Sequence, residues 1–488
     1  MRRRGHAWCD LDPGFRSAAH YRSQLADRTG EAMRTGSLQM QHGEPVSSAG
    51  RRGSSRMAVS VVLTFIVSVV YGLSPAAGVA VGAAAAVLIA SLSPVWALPL
   101  LLFGVMVRPV YSGLPLQDGW IVILAFLMGL IFYVVLRAGG RFRVDWWMVL
   151  LFAWAALTAV VGVGLSDGNV VRHLTAAVLP LSSALLVGLI RGGGQGGVYD
   201  KWSFRPQWVV GLAGLYAVMA VVIVLLKGHG LEQGPGGSIS LRVAEISPRS
   251  VSIVLGGLII IAAGVIAEHS WRARKVGWLI GAVVGASGVL VITGSRIALI
   301  GMALGLIPVF VSWLTGRRPM TIRWKRAFGV ACVGSLLVML TLVAPLLGSW
   351  NAMNAVDLRA LRALDWGAGG GRFEMWLTVL RSISGWQWLF GVGVPNWHEW
   401  IGGHPHSFFV SSLLYYGAPG LILVLGALSS LAYQAWRARA AAGLGIAVYL
   451  AVVFMTSGFP DRPEFWVVYV LGFLAITMSR RHGVLGAS

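Results

Sequence analysis

The sequence has few charged residues and almost no cysteine. Charged side chains make up 12% of the 488 residues, whereas soluble domains carry about a quarter. Cysteine occurs only at Cys9 and Cys332, so neither a disulfide framework nor a cysteine-based metal site is predicted. The low charge excludes a soluble globular protein, and the 56% content of hydrophobic residues points to a membrane protein.

Long apolar runs recur along the chain. Most of these runs have roughly 16 to 20 residues, enough to cross a hydrocarbon core of about 30 Å as a helix. The runs lack the alternation of barrel strands, which excludes a transmembrane barrel. We predict an all-α fold, a polytopic helical membrane protein of about 12–14 transmembrane helices with one long extracytoplasmic loop. The approximate cores of the spans are 57–73, 76–91, 95–110, 119–136, 146–164, 174–190, 207–226, 249–267, 276–292, 297–314, 327–347, 407–432, 442–458 and 464–478.

The net charge of +21 does not indicate nucleic-acid binding. The lysines and arginines lie in the N-terminal tail and in alternate loops, as the positive-inside rule requires, and form no single basic groove. We therefore expect the lipid bilayer as a partner and no nucleic acid. The same alternation predicts a multi-pass protein of the cytoplasmic (inner) membrane with both termini in the cytoplasm.

The predicted spans divide the chain into four parts. Residues 1–56 form a basic tail without the apolar core of a signal peptide, which we expect to be disordered and cytoplasmic. Because Met57 stands at the start of the first span, it is an alternative translation start. Whether residues 1–56 are translated therefore stays open. Transmembrane helices follow at 57–347, an extracytoplasmic loop with an amphipathic helix and a catalytic motif at 348–406, and C-terminal transmembrane helices at 407–480.

Arginines in the loops predicted to lie outside are not topology signals. Arg296 follows a tight Gly-Ser turn in which Ser295 is predicted to cap the next helix. Arg372 would share a helix face with Trp376. Since arginine is suited to bidentate contact with phosphate oxygens, we predict that Arg296 and Arg372, and more weakly Arg242 and Arg249, bind a diphosphate. The alternative for each is a contact with lipid headgroups.

Two histidines end the long outside loop, in the sequence His404-Pro405-His406-Ser407. Proline favours the first helical turn, so we expect His404 to cap a helix and His406 to lie just inside it. A titratable imidazole suits a general base, and a histidine bonded to backbone at a helix start is the structural alternative. A zinc site with His398 and Glu399 lacks a typical ligand spacing, so no metal and no cofactor are expected.

Several short motifs in this order resemble the O-antigen ligase / O-antigen polymerase superfamily. The resemblance covers roughly residues 290–425. Ser407 stands where the family usually has asparagine, Pro405 where it often has a small residue, and about fourteen spans exceed the family's ten to twelve. The motifs are Ser295-Arg296, Gly371-Arg372 with Trp376, Leu389-Phe390-Gly391-Val392-Gly393, His404-Pro405-His406-Ser407 and Gly417-Ala418-Pro419-Gly420.

The resemblance implies a GT-C-like glycosyltransferase on the outer face of the cytoplasmic membrane. Such enzymes transfer a glycan from a polyprenyl-diphosphate carrier, commonly undecaprenyl, to an acceptor hydroxyl on a glycan or glycolipid, typically without metal. His404 or His406 would be the catalytic base, and the arginines would bind the diphosphate. The sequence does not distinguish ligase activity from polymerase activity. The alternatives are a transporter of a lipid-linked sugar or small anion, and a non-catalytic scaffold of glycan assembly.

Overall fold

The computed structural model describes most of the transmembrane part of the chain. The described residues are 47–94, 96–107, 118–137, 145–165, 170–192, 206–226, 231–233, 239–241, 248–268, 283–290, 295–315, 370–392, 405–456, 458 and 460–485. At several helix ends only the backbone is described. Residues 55–488 form one compact unit, and of residues 1–54 only the first turns of the first helix are described.

The described chain is helical apart from one short pair of strands. Strands β1 (Leu231–Gln233) and β2 (Ile239–Leu241) pair antiparallel, and residues 283–290 add a further helical stretch. The other helices are α1 (Ser47–Leu73), α2 (Pro75–Leu92), α3 (Leu98–Met106), α4 (Asp118–Arg137), α5 (Trp146–Leu165), α6 (Val170–Gly192), α7 (Pro206–Leu226), α8 (Pro248–Glu268), α9 (Arg296–Thr315), α10 (Gly370–Ser382), α11 (Gln387–Phe390), α12 (Phe408–Arg437), α13 (Ala441–Thr456) and α14 (Pro463–Leu485).

The prediction of an all-α polytopic membrane protein is confirmed. Among the described residues, four helical segments are long and apolar enough to cross a membrane, within α2, α8, α9 and α12, and six shorter stretches are also apolar. The span predicted at 95–110 differs, because α3 has nine residues and at about 1.5 Å per residue covers less than half of a hydrocarbon core. The span predicted at 327–347 lies outside the described residues.

Helix α8 lies at the centre of one half of the bundle. Its sequence is apolar on every side, as a helix surrounded by other helices requires. In α8, 94% of the span is buried, against 28% in α9. Helices α7, α9, α13 and α14 pack around α8, and α12 packs on α13. The second half is built from pairs, α2 with α4 and α5 with α6, and α12 joins it to the first half through α5.

Helix α12 is broken near its start. Gly417 has φ 69° and ψ −173°, a conformation that only glycine adopts readily, and Pro419 follows two residues later. The broken turn leaves carbonyls without helical partners, and Trp154 Nε1 donates a hydrogen bond to one of them, Tyr416 O, at 2.7 Å. The span predicted at 407–432 therefore consists of two helical segments with different axes.

Helices α5 and α6 are joined by a buried ion pair at the end predicted to be cytoplasmic. Asp145 Oδ2 lies 3.6 Å from Arg191 Nη1, and the Asp145 side chain is 2% exposed. The second carboxylate oxygen accepts from the backbone N–H of Trp147, which caps α5. Burial raises the pKa of Asp145 above its ordinary value, although Arg191 and the backbone N–H groups act in the opposite direction.

Candidate functional site

The turn before α12 is fixed by a serine. Ser407 has extended backbone angles (φ −135°, ψ 129°) and is the N-cap, since its Oγ accepts from the backbone N–H of Val410 at 3.4 Å. The hydroxyl of Ser407 also donates to Phe454 O at 3.3 Å. The prediction that His404 caps this helix was therefore wrong, and His406 precedes the helix.

His406 adopts a backbone conformation that L-residues avoid. Its φ is 47°, and among the described non-glycine residues only Arg439 also has a positive φ. The left-handed region costs roughly 1–2 kcal/mol for a residue with a Cβ. A residue is kept in such a conformation only when its surroundings fix it, and residues of this kind cluster at active sites. The partly buried side chain of His406 therefore marks a candidate site.

The peptide before His406 is held by the helix that contains Arg372. Trp376, in α10, donates a hydrogen bond from Nε1 to Pro405 O at 2.6 Å. Arg372 lies one helical turn before Trp376, at the i, i+4 spacing that places two residues on the same face. A helix containing Arg372 and Trp376 is thus confirmed, and the hydrogen bond places that helix beside the histidine turn.

An aromatic cluster seats the start of α12. The ring of Phe408 stacks on Phe454 with the centroids 4.0 Å apart. Phe465 and Trp466 approach Phe408 edge-on at 5.2 Å and 5.9 Å. Because Phe408 is fully buried, these contacts fix the turn that contains His406 to the end of α13 and the start of α14.

Two of the glycine motifs cross each other. Gly391 has φ 79° and ψ −174°, close to the angles of Gly417 in the break of α12. A Cβ at Gly391 would collide with Leu414 O, and a Cβ at Gly417 with Leu389 O. The N–H of Val392, next to Gly391, donates to Leu414 O at 2.8 Å. The structure thus brings together the motifs around residues 390 and 417, which are far apart in sequence.

The start of α9 lies at the same end of the bundle. Gly301 faces Tyr449 and Gly305 faces Gly445, so α9 and α13 run antiparallel and the first residue of α9, Arg296, lies where α13 finishes. The carbonyl of Ser295 accepts from Leu299 N at 3.1 Å, which is the backbone role of an N-cap residue. The helix begins at Arg296 as predicted.

The start of α8, with Arg249, is tied to the start of α14. Ser250 Oγ donates to Glu464 Oε1 at 3.0 Å, and Arg462 Nη1 lies 3.8 Å from the same oxygen. Glu464 is fully buried and Asp461 is 8% exposed. Arg249 itself is exposed. The hydrogen bond from its neighbour Ser250 therefore fixes the backbone of Arg249 at the end of the bundle that also contains His406.

Sequence reasoning missed the charged turn Asp461-Arg462-Pro463-Glu464. Hydropathy treats such a short segment as a boundary between two spans. A signal was present, since a cytoplasmic C-terminus after the span at 464–478 puts Arg462 in an outside loop, where a cation is not a topology signal. Asp461 and Glu464 lie on either side of Arg462 in the sequence, which was a further reason to consider this turn.

Two predicted site residues, His404 and Arg242, lie outside the described residues. For Arg296 and Arg372 the structure gives the backbone position alone. The structure therefore brings together the turn of His406 and the helices that begin near Arg249, Arg296 and Arg372. In the part of the chain with described side chains, no three His, Cys, Asp or Glu residues are grouped as a metal site needs. His398 and Glu399 lie outside that part.

Comparison with known protein families gives a match that falls on this region of the chain. Residues 280–425 match the family model described as O-antigen ligase. No curated protein matches the chain. The matched residues include α9, α10, the histidine turn and the first part of α12, so the resemblance noted for residues 290–425 is confirmed.

Proposed function

Since residues 280–425 are similar to the O-antigen ligase family, which supports glycan transfer of the ligase or polymerase type, we propose that this membrane protein is a glycosyltransferase. The donor is a glycan on a polyprenyl-diphosphate carrier, and the acceptor is a hydroxyl of a glycan or glycolipid. Transfer takes place at the outer face of the cytoplasmic membrane.

The observation that supports this function best is the strained turn of His406. Its φ of 47° is kept by hydrogen bonds on both sides, at the end of the bundle where α8, α9 and α10 begin. A histidine next to three helix starts with nearby arginines suits a reaction that removes a proton and releases an anion.

The proposed reaction moves one proton and one electron pair. The acceptor oxygen forms a bond to the anomeric carbon of the donor, while the bond between that carbon and the diphosphate oxygen breaks. The electron pair leaves with the polyprenyl diphosphate, and the hydroxyl proton passes to the imidazole of His404 or His406. The imidazolium then returns the proton to water.

The arginines act on the leaving group. Negative charge grows on the diphosphate as the bond breaks, and fixed cations stabilise that charge best where water is scarce. Arg249, Arg296 and Arg372 lie within the first turns of α8, α9 and α10, where the helix dipole also favours an anion. Arg242 is a further proposed contact, just before α8.

The membrane orientation follows from charge. With cations in alternate loops, the tail 1–56 and the C-terminus face the cytoplasm, and residues 348–406 face the opposite side together with the histidines. A long-chain lipid diphosphate displayed on that side reaches the arginines without crossing the bilayer. The reaction needs no nucleotide sugar and, as we propose it, no metal.

The test is release of polyprenyl diphosphate by the purified protein in nanodiscs. The donor is an undecaprenyl-diphosphate oligosaccharide, and the acceptors are a set of envelope glycans and glycolipids. We expect release that is insensitive to EDTA and abolished by His404→Ala or His406→Ala. Product size distinguishes a single transfer from polymerisation. Full release in both histidine variants would exclude the proposed base.

A matched pair of variants tests the diphosphate contacts. Arg372→Ala should raise the donor KM at least about tenfold, the loss of one charge-assisted contact. Arg381, in the last turn of the same helix, is exposed, and Arg381→Ala should leave the donor KM unchanged. Equal effects of the two variants would mean a general effect of charge on α10. Donor binding without release with every acceptor would favour a scaffold or a transporter.

A further inference from the structure

The indole of Trp376 makes a contact that membrane anchoring does not explain. Tryptophans in a loop at the membrane surface usually place their N–H among headgroups. The N–H of Trp376 instead points to Pro405 O at 2.6 Å, across 29 residues of sequence, and the ring is partly buried. This is a long-range bond from α10 to the histidine turn.

A second tryptophan of the same region provides a comparison. Trp388 Nε1 donates to Ile383 O at 3.1 Å, five residues away, and the side chain of Trp388 is exposed. That bond closes a local turn between α10 and α11. The two tryptophans therefore lie in the same region but have different roles. The bond of Trp388 is local, whereas the bond of Trp376 joins distant segments.

The carbonyl bound by Trp376 belongs to the peptide that precedes His406. Rotation about the N–Cα bond of His406 is its φ angle, so the orientation of this peptide relative to the Cα–C bond of His406 sets φ directly. Ser407 is held on the other side by Phe454 O. With both neighbours held, His406 stays at φ 47°, although an unrestrained residue would relax to negative φ.

We propose that Trp376 is a positioning residue for the imidazole of His406. By holding the Pro405–His406 peptide against α10, it fixes the direction in which that side chain leaves the backbone. It also couples this direction to Arg372, one turn earlier on the same helix. The inference rests on the proposed function for the role of the imidazole, whereas the hydrogen-bonded clamp on the turn is independent of it.

The first test compares Trp376→Phe with Trp388→Phe. Phenylalanine keeps an aromatic ring and removes the N–H in both. We expect kcat of Trp376→Phe to fall about tenfold, the equivalent of about 1.4 kcal/mol, with less than a twofold change in donor KM. The acidic limb of the kcat–pH profile should shift, because the imidazole then faces other surroundings. Trp388→Phe should retain wild-type kcat, KM and pH profile.

A second measurement tests the hydrogen-bonded clamp independently of enzyme activity. Backbone amide exchange of residues 406–412 should become faster in Trp376→Phe, above all at Val410, whose N–H is bonded to Ser407 Oγ. The melting midpoint should stay close to that of Trp388→Phe. Exchange equal to wild type would overturn the clamp and with it the positioning role. Faster exchange with unchanged kcat would keep the clamp and overturn the role. A wild-type protein without glycan release would contradict the proposed function and leave the exchange result to decide the clamp.

Discussion

Gly391 and Gly417 have nearly the same backbone angles and lie across from each other, each against the backbone of the other's segment. Their φ and ψ fall in the region that residues with a Cβ scarcely populate. Because the crossing fixes the chain just before residue 393 to the break in α12, both glycines are required for conformation as well as for space.

Alanine at Gly417 should destabilise the protein strongly. The substitution adds the cost of the backbone conformation to a collision with Leu389 O, and we expect a loss of about 3 kcal/mol in the free energy of unfolding. Gly211→Ala is the control, because a Cβ at Gly211 in α7 meets nothing within 4 Å and should stabilise slightly. Thermal unfolding in detergent compares the two variants, and equal midpoints would contradict the account of the crossing.

Two substitutions of His406 separate the strain of its backbone from the chemical role of its imidazole. His406→Ala keeps a Cβ at positive φ, whereas His406→Gly removes the strain. We expect the glycine variant to be more stable than the alanine variant by about 1 kcal/mol, and both to lack glycan release if this imidazole is the base. Thermal melts measure the stability of the two variants, and the release assay measures their activity. A glycine variant that is no more stable than alanine would mean that the turn relaxes when the imidazole is lost.

Removing the buried carboxylate of Glu464 should affect both folding and donor binding. Glu464→Ala leaves the Arg462 cation without this carboxylate and removes the acceptor of the Ser250 hydroxyl, at a cost of about 3 kcal/mol. Because Ser250 is next to Arg249, the donor KM should rise as well. Glu464→Gln keeps an acceptor for Ser250, so we expect a near-normal donor KM. A raised KM in the glutamine variant would assign the effect to charge, not to hydrogen bonding.

Asp145 should give the protein a measurable pH dependence. Its pKa is raised in the folded protein above 3.8, so the folded state binds a proton at a pH where the unfolded chain does not. The free energy of unfolding therefore increases as pH falls through the raised pKa towards 3.8. Asp145→Asn keeps an N-cap and lacks this titration.

The melting midpoint of wild type relative to Asp145→Asn should accordingly rise between neutral pH and about pH 4. Asp145→Ala, which also loses the cap to the Trp147 N–H, should be less stable than Asp145→Asn by about 1 kcal/mol at every pH. A wild-type advantage that shrinks on acidification would mean that the Arg191 ion pair outweighs burial.

Hydropathy and local helix signals were sufficient for much of the fold. The apolar runs predicted most of the helices, and the helix starting at Arg296 and the helix around Trp376 were both expected from short motifs. These features depend on neighbours in sequence. The break at Gly417 was not predicted, although a glycine followed by Pro419 in an apolar run is a local signal of a kink.

What the sequence did not reveal depends on contacts between distant segments. The cap at Ser407 depends on Phe454 as well as on Val410, and proline at 405 favoured the wrong start for the helix. The bond of Trp376 to Pro405 and that of Ser250 to Glu464 join residues 29 and 214 positions apart. Periodicity along one helix has no information about such partners.

Two contacts on α12, at Leu414 and at Ser407, determine how the chain between residues 392 and 407 can vary in length. Val392 is bonded at Leu414 and Ser407 begins the same helix, so the two ends of the intervening chain are held about 10 Å apart along a rigid rod. Closing a longer chain over fixed ends costs only about 0.6 kcal/mol for each doubling of its length. Segments of different length and composition can therefore be exchanged for residues 393–403 while the turn of His406 keeps its place.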